Sequence, residues 1–138
     1  MHSAIDGIAP TLLIVRTNMG RRFGSYLNCK LNSREEWISD VSGLSFLFSI
    51  DREESYRLKA EANSRLKAAF GGVKGVQIGS GCDLYLVDDC HLIRRSGANL
   101  GASYRLPGHL EFNTPKARSY LAGEEFFEVE EFEFFSLE

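Results

Sequence analysis

The sequence lacks the features that mark membrane and secreted proteins. No apolar run approaches the roughly 20 residues that a helix needs to cross a bilayer, so direct membrane insertion is not expected. The first residues lack the charged start and the long apolar stretch of a signal peptide. The three cysteines, Cys29, Cys82 and Cys90, are an odd number and argue against a disulfide framework. These absences predict a reduced, intracellular protein with a cytoplasmic location.

Clusters of basic residues are also scarce. The formal net charge is −3, from 16 basic and 19 acidic side chains. The adjacent bases are Arg21 with Arg22 and Arg94 with Arg95, whereas residues 124–138 contain seven Glu and no Lys or Arg. Proteins that bind nucleic acid usually present a basic face that neutralises phosphates. No nucleic-acid partner is therefore predicted.

Aromatic residues are abundant and favour β structure. Ten Phe and five Tyr occur against three Pro and one Trp, and aromatic side chains fit the pleated surface of a sheet. The length of 138 residues suits one domain, residues 1–138. Short apolar runs separated by turn signals predict a mainly β fold: a two-sheet antiparallel β-sandwich with a few short peripheral helices.

Four segments are predicted to be strands: the apolar run at residues 11–15, the alternating segment at residues 21–27, the apolar run at residues 45–50, and residues 83–87. The first two flank a turn in which Gly20 can adopt a positive φ, and they predict a hairpin. The third is apolar on both faces, which predicts a central strand. A long polar loop is predicted at residues 88–103.

Helical signals are few and one of them is ambiguous. Ser33 and Glu36 have the spacing of a capping box, which predicts a short helix at residues 32–38. Another short helix is predicted at residues 116–121, after Pro115. Residues 51–70 fit a helix by the spacing of their apolar side chains and by the capping-box spacing of Asp51 and Glu54. However, Tyr56-Arg-Leu-Lys59 resembles an aromatic-x-Leu-Lys element that a known domain family carries before a strand, so helix and strands both stay open.

The final segment alternates Phe with Glu, but its phase slips once. Phe127 and Val129 have one phase and Phe132 and Phe134 have the other, so the slip falls between Glu130 and Glu131. A one-residue slip turns the following side chains to the wrong face of a strand unless a β-bulge absorbs the extra residue. The sequence therefore predicts a bulge at this point.

Potential metal ligands are concentrated in one stretch: Cys82, Asp83, Asp88, Asp89, Cys90 and His91. Zinc sites favour closely spaced ligand pairs that converge on one tetrahedron. Here a five-residue strand of roughly 17 Å separates the two cysteines. No metal site and no cofactor are therefore predicted.

Nucleophilic catalysis would require Cys90 to act with His91 or His109. Adjacent residues of an extended segment point to opposite faces, so Cys90 and His91 make a poor dyad. His109 could approach Cys90 only through the fold. The glycines at 71–81 lack the G-x-x-x-x-G-K-[ST] pattern of a phosphate loop and are interpreted as turn residues. No catalytic or cofactor-binding residues are predicted.

Several short sequence blocks follow one another in a specific order along the chain. The blocks are Ala9 with residues 10–15, Gly20, Phe23-Gly24-x-Tyr26, Trp37, residues 45–49, Gly79-x-Gly81-x-Asp83 with residues 84–86, Cys90, residues 99–101, Tyr104, Leu106-Pro107, Ala122-Gly123 and Val129. In this order they resemble the TLDc domain family of oxidation-resistance and protist proteins. Ile78 and Cys82 depart from the family pattern, which usually has Phe and then Gly or His at these positions. In the family, the domain begins well before the first of these blocks. The first six residues of this chain already resemble an element that lies after that beginning, so the chain is expected to be N-terminally short.

The resemblance implies a non-catalytic, intracellular protein-interaction module of TLDc type. It also implies a link to protection from oxidative stress and, as a partner, the vacuolar proton-pumping ATPase. The alternative is a Cys-dependent enzyme, peroxide-reactive or hydrolytic, that uses Cys90 with a histidine. If the first strands of the domain are absent, the strand at residues 11–15 is expected to have an open edge and to support a homodimer or receive upstream residues.

Overall fold

The computed structural model of the protein describes residues 7, 9–32, 34–71, 75–87 and 96–136. Within them the chain forms eleven strands and two short helices, α1 (Ala62–Leu66) and α2 (Pro115–Arg118). The strands are β1 (Thr11–Thr17), β2 (Arg22–Leu27), β3 (Trp37–Ile38), β4 (Phe46–Ser49), β5 (Glu54–Arg57), β6 (Ala69–Phe70), β7 (Val76–Ile78), β8 (Leu84–Leu86), β9 (Ser96–Ala98), β10 (Phe126–Phe127) and β11 (Val129–Ser136). All strand pairs are antiparallel, which confirms the predicted fold class.

The strands are divided between two sheets. The five-stranded sheet has the order β11-β1-β2-β4-β5, and the six-stranded sheet has the order β10-β9-β8-β7-β6-β3. Their inner faces share one core, in which the ring of Phe23 from β2 meets the ring of Phe127 from β10 edge-on, with 5.3 Å between centroids. Both rings are fully buried. The sandwich therefore closes through large side chains that both sheets contribute.

The predicted hairpin and the predicted bulge are both confirmed. Thr17 N–H donates to the carbonyl of Arg21 at 2.9 Å across the turn, where Gly20 has a φ of +81°. Along β1 and β11, Arg16 is opposite Glu131 whereas Thr17 is opposite Val129, so Glu130 is the extra residue. The bulge lets Val129, Phe132 and Phe134 face the same core.

The open edge expected at residues 11–15 is wrong. β1 pairs with β11 on one side and with β2 on the other, so both of its edges are occupied within the chain. Its buried and half-buried residues alternate, with Leu13 and Val15 in the core and Leu12 and Ile14 on the outer face. Residues 12–15 are apolar because the outer face of β1 is half-buried there while the other face lies in the core.

The helix predicted at residues 32–38 is also wrong. Trp37 and Ile38 form β3, which pairs with β6. The carbonyl of Glu36 accepts the N–H of Gly71, and Glu35 N–H donates back to the carbonyl of Gly71. Burial of Ile38 and this pairing with a distant segment outweigh the local capping signal; Ser33 lies outside the described residues.

Residues 51–70 contain both of the alternatives. Strands β5 and β6 lie at the two ends of the segment, and the short helix α1 lies between them. Asp51 does not cap a helix, because its carboxylate accepts the backbone N–H of Arg22 at 2.6 Å and also contacts its guanidinium. Asp51 therefore binds to the β1–β2 hairpin instead of capping a helix.

The remaining expectations concern the second half of the chain. Residues 83–87 contain the predicted strand as β8. The loop predicted at residues 88–103 is partly wrong, since Ser96–Ala98 is strand β9; residues 88–95 lie outside the described residues. The predicted helix near residue 116 is confirmed as α2, with Pro115 in its first turn and Thr114 accepting the N–H of Ala117 at its start.

Candidate interaction surface

The cysteines in the described residues are not activated nucleophiles. Cys29 is buried, and burial, with a smaller effect of the nearby Asp40 charge, raises the pKa of its thiol to about 12. Cys82 is half-buried, and burial followed by the charge of Asp83 raises its pKa as well. A raised pKa leaves little thiolate at neutral pH, and the thiolate is the reactive form.

The proposed Cys–His pair cannot be placed. Cys90 and His91 lie outside the described residues. His109 contacts Tyr120, with 5.9 Å between ring centroids, and the Tyr120 hydroxyl donates to Glu54 at 2.6 Å. The described surroundings of His109 are therefore an aromatic ring and a carboxylate rather than a thiol.

Of the six potential metal ligands, the structure describes Cys82 and Asp83. The carboxylate of Asp83 is fully buried and is already engaged by four backbone N–H groups, those of Gly101, Ala102, Ser103 and Tyr104, at 3.0–3.2 Å. Among the described residues, no group of three His, Cys, Asp or Glu side chains could hold a metal ion. Asp83 stabilises the fold by ordering the turn at residues 101–104.

Gly79 has the turn role that the sequence predicts for this glycine region. It has a φ of +86°, and a Cβ at this position would overlap the carboxylate of Asp83. The Ser103 hydroxyl accepts the N–H of Ser80 at 2.8 Å, which fixes the same turn. The glycine thus permits close approach of the backbone to a buried carboxylate.

A continuous row of side chains crosses the outer face of the six-stranded sheet. Cross-strand pairing places one residue from each strand side by side, and this set is named the aromatic row: Trp37, Phe70, Gln77, Tyr85, Gly97 and Phe126. Four of the six members are aromatic. With roughly 4.8 Å between neighbouring strands, the row extends across about 24 Å of surface.

The two ends of the aromatic row are exposed and its middle is packed. The exposed fractions of Trp37 and Phe126 are 39% and 47%. Trp37 meets Phe70 edge-on at 5.0 Å, and the Lys67 ammonium lies 5.6 Å from the centre of the Trp37 ring. The surface therefore has two exposed aromatic rings, one of them near a cation.

The Tyr85 ring lies over Gly97, the one member of the row that has no side chain. A Cβ on Gly97 would lie 2.9 Å from the Tyr85 ring and its hydroxyl, so glycine is required for this packing. The ring thereby fills the position between its own strand and Phe126. Tyr85, Gly97 and Phe126 all line a groove at this end of the row.

A polar groove of about 320 Å³ adjoins the Phe126 end of the row. Arg118 lies in it, donating to Asn113 at 2.5 Å and pairing with Glu125 at 3.7 Å. The Oδ1 atom of Asn99 is buried and accepts no hydrogen bond from the described residues. The remaining lining residues are Gly81, Cys82, Tyr85, Gly97, Ala98 and Phe126. Polar groups at the margin of an aromatic patch are typical of protein interfaces.

The outer face of the five-stranded sheet is also apolar, but its rings cover one another. Tyr26 and Phe46 stack with 5.3 Å between centroids, and Phe46 meets Phe48 at 6.1 Å. Phe48 lies over Gly24, where a Cβ would be 2.8 Å from the ring. All three rings are half-buried. We therefore consider the aromatic row the stronger candidate for a binding surface.

Sequence reasoning missed the aromatic row. Trp37 is assigned to a helix by the local pattern, and Phe126 is interpreted only as part of an alternating strand. The available signal is the single outward aromatic in each of several short strands. That signal becomes a surface only when the pairing of distant strands is known.

Among the described residues, neither α1 nor α2 has the length or the apolar composition of a membrane span. The family model of the TLDc domain matches residues 1–138, the whole length of the sequence. No curated protein matches the chain.

Proposed function

The chain belongs to the TLDc domain family, and on this premise we propose that it is a non-catalytic, intracellular protein-interaction module. The observation that carries the proposal is the aromatic row with its exposed rings at Trp37 and Phe126. Trp, Tyr and Arg are the residue types that most often dominate the affinity of protein interfaces. The row and the adjoining groove contain all three.

The size of this surface suits a protein partner. A standard interface buries about 800 Å² on each side, which corresponds to a patch roughly 28 Å across. The aromatic row has about this width, and Arg118, Asn99 and Glu125 supply a polar margin at one end. A small-molecule site would instead enclose most of its ligand in a cleft.

The vacuolar proton-pumping ATPase is the partner that the family resemblance implies, and protection from oxidative stress is the associated cellular role. We propose both for this chain, with a cytoplasmic location. The support is family membership, and a shared fold alone does not assign a function. A homodimer is also compatible with the proposal, but it cannot form through β1, whose edges are both paired.

The alternative enzyme, with Cys90 and a histidine, gains no support from the described residues. Cys29 and Cys82 have raised thiol pKa values, and His109 contacts Tyr120. A reactive cysteine needs a base within hydrogen-bond reach or an electropositive environment that lowers its pKa. Within the described residues, the raised pKa values of Cys29 and Cys82 reflect neither condition.

The test is co-purification of the chain with the isolated peripheral stalk of the vacuolar ATPase at low salt. We expect the wild-type chain to be retained, and the pair of substitutions Trp37→Ala and Phe126→Ala to weaken retention about tenfold or more, because truncation of aromatic anchors is costly. Met19→Ala is the matched control, since Met19 is 65% exposed and lies in the β1–β2 turn rather than in the row.

Each arm has a distinct outcome. Unchanged retention by a folded Trp37→Ala, Phe126→Ala variant would exclude the aromatic row as the binding surface. Absence of wild-type retention would exclude the ATPase stalk as the partner. The stress role is measured separately, as peroxide survival of cells that express the wild-type chain or the variant, and equal survival would separate the role from this surface.

A further inference from the structure

The edges of the two sheets differ greatly in length. β3 and β10 end the six-stranded sheet with two residues each, and β5 ends the five-stranded sheet with four. β11, the remaining edge, has eight residues. Short edge strands protect proteins from unwanted pairing, whereas a long one can accept another strand. Within the described residues, β11 pairs with β1 alone.

The register identifies which backbone groups of β11 face outward. Thr17 N–H donates towards β2, and successive residues of a strand alternate in direction, so Ile14 and Arg16 direct their backbone groups towards β11. Their partners Glu133 and Glu131 therefore bond to β1. The N–H and C=O groups of the intervening residues, Phe132, Phe134 and Ser136, point away from the sheet.

The outward edge of β11 carries negative charge. Arg16 pairs with Glu130 at 3.3 Å and with Glu131 at 3.2 Å, and among the described residues Glu133 has no basic partner. Two copies of this edge would bring glutamates against glutamates, which destabilises a strand pair. The charge therefore disfavours a second copy of the chain and favours a basic strand.

The side chains along β11 indicate which residue types a partner strand would carry on each of its faces. Phe132 and Phe134 lie on the core face and are only half-buried, so a neighbouring strand with apolar side chains on that face would cover them. On the outer face, Glu131, Glu133 and the 40% exposed Phe135 border a groove of about 190 Å³. Lys or Arg side chains with long apolar stems suit this acidic, partly apolar face.

We propose that the outer edge of β11 binds an extended, basic segment of a partner protein, which adds to the five-stranded sheet as a sixth strand. In that segment Lys or Arg alternates with Val, Ile or Thr, so that the basic residues lie beside the glutamates and the others lie beside Phe132 and Phe134. Main-chain hydrogen bonds supply affinity and the alternating side chains supply selectivity. The inference does not depend on the aromatic row.

The test uses three synthetic peptides as long as β11, eight residues. In the first peptide Lys alternates with Val and Thr; the second is the same peptide with N-methyl groups along one edge; the third has Glu in place of Lys. Binding to the full chain is measured by fluorescence anisotropy. We expect the first to bind, and the second and third to bind at least about tenfold more weakly, because each loses the hydrogen bonds or the charge match.

Variants of the chain locate the contact. Glu131→Lys with Glu133→Lys should weaken the first peptide about tenfold, whereas Glu61→Lys with Glu111→Lys changes the net charge equally at exposed positions outside β11 and should not. Ser136→Pro removes one outward N–H while its β1 pairing is retained, and should weaken binding by about two- to tenfold. Trp37→Ala should have no effect.

Amide hydrogen exchange provides the direct readout. Adding the first peptide should slow exchange at Phe132, Phe134 and Ser136, whereas Glu131 and Glu133 should be protected already by β1. Equal binding of the N-methylated peptide, or unchanged exchange at these three amides, would overturn the proposal and indicate only charge attraction. Protection of the same amides in the chain alone, with a dimer by sedimentation, would show that a second copy occupies the edge instead.

Discussion

The carboxylate of Asp83 accepts a hydrogen bond of 3.0 Å from the backbone N–H of Tyr104, which follows strand β9 in the sequence. Both residues are fully buried, and the Tyr104 hydroxyl donates onward to the carbonyl of Ala68 at 2.9 Å. Burial raises the pKa of Asp83, although the N–H groups that it accepts act in the opposite direction. One side chain thus connects the start of β8 with the turn that follows β9.

Removing this carboxylate should be strongly destabilising. We expect Asp83→Ala to lower the free energy of unfolding by about 4 kcal/mol, because several buried N–H groups lose their acceptor. Asp83→Asn keeps one acceptor oxygen and should cost less. Urea denaturation measures both, with Glu111→Ala as a control at an exposed carboxylate. A loss below about 1 kcal/mol for Asp83→Ala would show that the turn is held by other contacts.

Two glycines make a matched pair for a test of close packing. A Cβ on Gly24 would overlap the carbonyl oxygen of Leu13 and lie 2.8 Å from the Phe48 ring, whereas a Cβ on Gly108 would meet no atom within 4 Å. We expect Gly24→Ala to lower stability by about 3 kcal/mol or more and Gly108→Ala to change it by less than about 0.5 kcal/mol. Thermal unfolding of the two variants decides the point, and equal melting temperatures would contradict it.

Asp40 predicts a pH dependence of stability. Burial alone would raise its pKa, but hydrogen bonds from the hydroxyl and N–H groups of Ser42 and Ser45 outweigh burial and lower it. A carboxyl whose pKa is lower in the folded chain stabilises the fold above its unfolded pKa, about 3.9, and this stabilisation is lost as the pH falls through the folded value.

We therefore expect Asp40→Asn to destabilise the chain at pH 7 and to differ less from the wild type below about pH 3. Urea denaturation at both pH values provides the measurement. A difference between the two proteins that stays constant with pH would mean that the Asn substitution acts through packing rather than through the lost charge.

The thiols should react slowly in the folded chain. In a Cys90→Ser background the two remaining thiols are Cys29 and Cys82, both with raised pKa values. We expect Cys29 to react with a disulfide reagent at pH 7 on the order of 100-fold more slowly than in urea, because burial suppresses the thiolate. Fast native reaction of Cys29 would contradict its burial. Replacing all three cysteines with Ser should accordingly leave any protection of cells largely intact.

The parts of the fold that could be predicted from the sequence are those with local causes. The β1–β2 hairpin follows from Gly20 between an apolar run and an alternating segment, and the bulge at Glu130 follows from a slip in a two-residue period. The helix predicted at residues 32–38 is wrong because contacts with distant residues determine the structure there. Ile38 is buried in the core, and the carbonyl of Glu36 accepts the N–H of Gly71. Gly71 is distant in the sequence, so no local pattern could predict this contact.

The candidate surface could not be predicted for a related reason. Trp37 is next to Phe70, and Phe126 is next to Gly97, only because distant strands pair in a particular register. In the sequence, Trp37 falls within a helical pattern and Phe126 within an alternating strand, and neither pattern places it beside the other rings. An exposed ring contributes to a binding surface only when other suitable side chains lie beside it, and the pairing of distant strands determines which side chains those are.

Two rings in this protein occupy space that a glycine leaves free: Phe48 over Gly24, and Tyr85 over Gly97. Neither member of such a pair can change alone without either a steric clash or an uncovered stretch of backbone. Over evolutionary time Gly97 and Tyr85 should therefore be inherited as a unit. A lineage that gains a side chain at position 97 is expected to show a smaller residue at position 85. Position 24 should stay glycine whatever residue stands at position 48, because a Cβ there would also overlap the backbone carbonyl oxygen of Leu13.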